Sequence, residues 1–142
     1  MINFSSKNDG TWCYYNEDDH DQGGVCLREL STDRYEQIER ITVKTKKAFK
    51  RGIAYNDVKT DEKLANKLRW DYCIVDWKST GLDGVELECT KDNKVKMMKV
   101  NSFIKFVADE IEKLSEMNIE IEEARLKNSG NTSPSPTEIK KV

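Results

Sequence analysis

From Phe103 to Lys127 the chain contains neither proline nor glycine, and Val100, Val107, Leu114 and Ile121 recur at intervals of seven residues. Phe103, Ile104, Ile111 and Met117 fill the adjoining positions. Steps of three, four and seven residues return side chains to one side of an α-helix, so this segment is expected to be one long helix with an apolar stripe and an opposite face of Lys, Glu and Asp. The stripe needs a cover. A chain of 142 residues has little body left to cover it beyond Leu114. Val107, Ile111, Leu114, Met117 and Ile121 are therefore expected to form a partner-binding surface, filled by a second copy or by another protein.

The remaining length suits one domain over residues 1–127, large enough to bury a core without disulfides or a metal. Lys and Arg total 24 against 26 Asp and Glu, a formal net charge of −2, so no global basic field advertises nucleic acid. No run of eighteen apolar residues is present, and "MINFSSKNDG" lacks the basic start and apolar stretch of a secretory signal. A cytoplasmic protein without membrane association is expected. The last stretch, "NSGNTSPSPTEIKKV" over residues 128–142, holds both prolines and little apolar surface, and reads as a disordered tail.

Cys13, Cys26, Cys73 and Cys89 are widely spread and lack the close pairing of structural zinc sites. Cys13, His20 and Cys26 bracket the acidic "EDDHD" and leave a metal-binding loop open as an alternative to small apolar cysteines beside a solvated turn. No cofactor is expected. Cysteine catalysis would have to use His20, the sole histidine, as its base. Asp71 and Asp76 have no histidine, clustered carboxylate or glycine-rich phosphate loop beside them, so no catalytic residue is assigned and the chain is read as no enzyme.

The order of elements points to an α+β fold, an N-terminal β-hairpin at about 11–30 followed by a mostly α-helical body at about 31–127 that ends in the long helix. "TWCYY" and "VCLREL" flank a polar loop in the manner of hairpin strands. Ser31 or Thr32 can cap a short helix carrying Tyr35, Ile38 and Ile41. Lys44, Lys46, Lys47, Lys50 and Arg51 then form the one concentrated basic run, read as a solvated face, with nucleic acid binding through residues 44–51 as an alternative. From Thr60, a candidate cap, no breaker occurs before Gly81, which favours a long helix through "YCIVDW"; its β-branched and aromatic content also permits a strand. Trp70, Cys73, Ile74 and Trp77, with Phe103, are expected in the core. Asp83-Gly84 supplies a tight reversal, and Thr90 caps a further helix.

The succession "LRWDYCIVDWKSTGLDGVELECTKDNKVKMM" and "NSFIKFVADEIEKL" resembles the core of small phage and prophage tail proteins, especially tail assembly chaperones of long-tailed phages. The likeness rests on Asp76-Trp77-Lys78, the turn at Asp83-Gly84, the helix opening at Thr90, Asp92 and Asn93, and the aromatic start at Phe103, and it extends over roughly residues 12–117. Ser79-Thr80-Gly81 stands where family members have Gly-(Ile/Val) after Trp-Lys. The resemblance implies a non-enzymatic factor that binds the tape-measure protein and tail-tube subunits in the host cytoplasm during virion morphogenesis. A structural or accessory virion protein, oligomerising permanently through the same stripe, is the rival.

Overall fold

The computed structural model describes Met1 and residues 7–130 and has a mixed α+β architecture. Strands β1 (Thr11–Tyr14) and β2 (Gly24–Leu27) pair antiparallel as the N-terminal hairpin, joined through a 3-10 turn at His20–Gln22. Gly24 permits the close pairing: a Cβ there would stand 2.5 Å from the Cys13 carbonyl oxygen. Helices α1 (Thr32–Thr42) and α2 (Glu62–Cys73) pack on each other, with Ile38, Thr42 and Ala65 buried. Ser31 caps α1, its Oγ accepting from the Arg34 N–H at 3.2 Å. Of the expected α1 stripe only Ile38 is buried; Tyr35 and Ile41 are exposed.

Between these helices runs a two-stranded antiparallel ribbon, β3 (Val43–Lys50) and β4 (Ile53–Thr60), where the sequence reading placed a solvated basic segment within a helical body. Arg51 and Gly52, with φ of 54° and 77°, close it in the left-handed conformation that suits a two-residue hairpin turn. The Asp61 N–H donates to the Thr42 carbonyl at 2.9 Å and ties the two ends of the ribbon together. Helix α2 is capped by Asp61, whose carboxylate accepts from the Leu64 N–H at 3.2 Å, rather than by Thr60, which belongs to β4.

Helix α2 stops at Cys73, and Ile74–Lys78 forms strand β5, so the long-helix reading of "YCIVDW" is corrected. The cause is tertiary: β2 has an open edge, and β5 fills it, giving the sheet order β1-β2-β5. Register aligns Cys13, Val25 and Trp77 in one row and Leu27 with Ile74 in the next, so these side chains share one face. Short strands β6 (Gly81–Leu82) and β7 (Val85–Glu86) turn through Asp83 and Gly84, both with positive φ, and α3 (Lys91–Met97) follows, capped by Thr90 as expected.

Helix α4 spans Asn101–Gly130, starting two residues before Phe103 and passing Lys127. Residues 128–130, expected in the tail, thus continue its backbone, while the rest of that tail, 131–142, lies outside the described residues. The core sits between the inner sheet face and α4: Val25, Leu27, Ile74 and Trp77 meet Met97, Phe103, Val107 and Leu114. Among the described residues no helix is long and apolar enough to cross a membrane.

Candidate functional site

Among the described residues, exposed apolar side chains gather most densely in two parts of the fold. The first is the distal half of α4. Val107 and Leu114, expected to face a partner, are 4% and 6% exposed and belong to this chain's own core, because the inner face of the sheet reaches far enough along α4 to cover them. Ile111 is half-buried against the same cluster. One turn further the cover ends, and Met117 and Ile121 are 44% and 43% exposed. A cleft of about 360 Å³ opens at this point between α4 and the end of β2, lined by Leu27, Arg28, Glu29, Leu114, Asn118 and Ile121. Its walls are held in place: the Asn118 amide donates to the Glu29 carboxylate, and Arg28 donates through Nε to the Tyr72 carbonyl at 2.7 Å while its guanidinium lies 3.8 Å from the Tyr72 ring centre. Three apolar residues, Leu27, Leu114 and Ile121, meet seven polar ones in its lining, and of the three only Ile121 is exposed.

The second is the ribbon. Its side chains are exposed except for partial burial at Val43, Ala48 and Asp57. Phe49 and Ile53, both 70% exposed, flank the Arg51-Gly52 tip, and Tyr55 and Val58 follow along β4. Cross-strand partners share a face, so Lys44, Lys46, Lys50 and Lys59 lie with Ile53 and Tyr55 on one side, and Lys47, Phe49 and Val58 on the other. Residues 43–60 carry six cations against Asp57, a net +5 in a chain of net −2, which leaves −7 for the rest. The cations are legible in the sequence, whereas the apolar pairs beside them, Ile53 with Tyr55 on one side and Phe49 with Val58 on the other, follow only from the strand register. The available signal was "KRGI", a turn-forming Arg-Gly step between two β-prone runs.

The residues weighed for catalysis and metal are engaged elsewhere. The Asp71 carboxylate accepts from the buried Lys94 ammonium at 3.1 Å, bracing α2 against α3, and an Asp76 oxygen accepts from the Trp77 N–H at 2.8 Å. Cys13 and Cys26 oppose adjacent residues of the β1–β2 pair, Val25 and Trp12, so they point to opposite faces of the sheet. His20 stacks on Tyr14 at 3.6 Å between ring centres. The drawn Cys13–His20–Cys26 site is therefore not assembled, and among the described residues no group of three or more His, Cys, Asp or Glu stands where a metal ion could be held. Burial pushes the Cys13 and Cys89 thiols up to about 11 and raises those of Cys26 and Cys73 as well.

Trp77, Ile74, Phe103 and Cys73 are buried, and Trp70 packs half-buried against the cluster. The Trp77 indole N–H donates to the Leu87 carbonyl at 2.8 Å, and its ring meets Phe103 edge-on at 6.0 Å. After Lys78, Ser79 takes φ of +51° and Thr80 is buried, its hydroxyl 2.6 Å from the Tyr15 phenol oxygen. Comparison with models of known families, with curated proteins and with solved structures finds no match to this chain.

Proposed function

We propose that the chain is a non-enzymatic assembly protein of phage or prophage tails, which holds the tape-measure protein in the host cytoplasm while tail-tube subunits gather around it. The observation that carries this reading is the apolar seam of α4, which passes from buried Val107 and Leu114 to exposed Met117 and Ile121 over an open cleft. An apolar seam that outruns its own core favours a helical client, whose apolar row can take the place the sheet vacates. Charged side chains on the opposite face of α4 keep the uncovered helix hydrated while the client exchanges. The family resemblance supplies the identity of the client; the seam supplies the means of holding it.

Co-expression with a tape-measure protein and affinity capture tests the reading. Met117→Glu with Ile121→Glu should abolish capture, since both charges would be buried unpaired at the contact. Both side chains are exposed, so the melting temperature should be nearly unchanged. Leu114 is unsuitable for this test, because a charge there enters the core and unfolds the domain. Undiminished capture by the double variant would remove the seam as the client site.

A further inference from the structure

The seam does not use the opposite side of distal α4. Glu112, Glu116, Glu120 and Glu123 recur at steps of four, four and three, which aligns them in a row on the side away from Val107 and Leu114. All four are exposed, and exposed Ile119 and Leu126 lie beside the row. Among the described residues, the ion pairs within this helix, Lys105–Asp109 and Lys113–Glu110, involve none of the four. The ribbon has the complementary character: Lys44, Lys46 and Lys50 are exposed, enter no ion pair among the described residues, and share a face with Ile53 and Tyr55. The lengths agree: six strand steps from Lys44 to Lys50 cover about 20 Å, and eleven helical steps from Glu112 to Glu123 cover about 17 Å.

We propose that the ribbon of one copy docks on the outer face of α4 of a second copy, lysines against the glutamate row and Ile53 and Tyr55 against Ile119 and Leu126. Each molecule presents both surfaces exposed at once, so the contact is available between molecules. When exchanged reciprocally it closes a two-fold dimer in which every contact occurs twice. A nucleic acid would meet the same lysines, but it would also meet the −7 carried by the rest of the chain, which a second copy's +5 ribbon instead partly offsets. The docking does not rest on the client reading, because Met117 and Ile121 lie on the other side of the helix.

The test is sedimentation equilibrium of the full chain with two charge-reversed variants. One carries Lys44→Glu, Lys46→Glu and Lys50→Glu; the other carries Glu112→Lys, Glu116→Lys and Glu120→Lys. The unmodified protein should dimerise with concentration and weaken as salt rises from about 50 to about 500 mM, because exposed charge pairs are screened over that range. Each variant alone should dimerise at least about ten-fold more weakly, since like charges then face each other at both contacts. An equal mixture of the two should recover the dimer, because the heterodimer restores opposite charges at both. All substituted positions are exposed, so circular dichroism should be unchanged. A monomer throughout, dimerisation indifferent to either reversal, or a mixture that fails to recover would overturn the proposal. So would a labelled DNA or RNA duplex whose binding is lost on ribbon reversal while self-association stays intact, which would make the ribbon a nucleic acid site.

Discussion

Trp77 joins the two halves of the core, and its removal should be felt as a large loss of stability. The side chain is 5% exposed, stands in the row Cys13–Val25–Trp77 across the sheet, contacts Phe103 edge-on and donates to the Leu87 carbonyl. Burial of a large aromatic removes roughly 150–250 Å² from water, which at about 25 cal/mol per Å² amounts to about 4–6 kcal/mol. The alanine side chain restores little of this, and aromatic truncations in cores cost about 3–5 kcal/mol. Trp77→Ala should therefore lose about 4 kcal/mol, and with a slope of about 2 kcal/mol per M its urea midpoint should fall by about 2 M. Trp77→Phe keeps a ring against Phe103 but removes the N–H, so it should lose only about 1–2 kcal/mol. Urea unfolding followed by far-UV circular dichroism is the appropriate assay, because fluorescence would lose one of its three tryptophans. A folded Trp77→Ala protein that loses less than about 1 kcal/mol would refute the assignment of Trp77 to the core.

Asp71→Ala should cost about 1–3 kcal/mol, more than Lys94→Met. The first leaves a buried ammonium without its counter-charge, held only by the residue 71 carbonyl, whereas the second leaves a carboxylate with a third of its side chain in water; equal losses in urea titrations would contradict that asymmetry. The thiols of Cys13 and Cys89 should react slowly with a disulfide reagent at neutral pH and promptly in urea, since only the thiolate attacks. Burial lifts both from the ordinary value near 9 to about 11, so their contribution to stability is complete below pH 9 and declines as pH rises toward 11, where the unfolded chain ionises first. Thermal melts that rise across that interval would reverse the sign. Gly24→Ala should destabilise by more than about 1 kcal/mol, because the added methyl meets the Cys13 carbonyl rather than a flexible side chain; an unchanged melting temperature would show that the hairpin can part without cost.

Local chemistry decided several elements without reference to the rest of the chain. Ser31 and Thr90 cap helices because their hydroxyls reach N–H groups three residues ahead. Asp83-Gly84 turns because both residues tolerate positive φ. The unbroken run from Asn101 is helical because its apolar residues recur at helical spacing with no breaker inside. Three other features depended on tertiary structure. "IVDW" is apolar on most sides and suits either period; the open edge of β2 made it a strand, at the expense of the last turns of α2. The ribbon buries neither face, so no alternation of apolar and polar residues marks it, and lysines occupy both of its sides. The α4 stripe carries the same chemistry at Leu114 and Ile121, and only the reach of the sheet makes the first core and leaves the second exposed. Periodicity specifies which side of a helix is apolar, whereas the extent of its cover depends on where distant strands end, which no local pattern encodes.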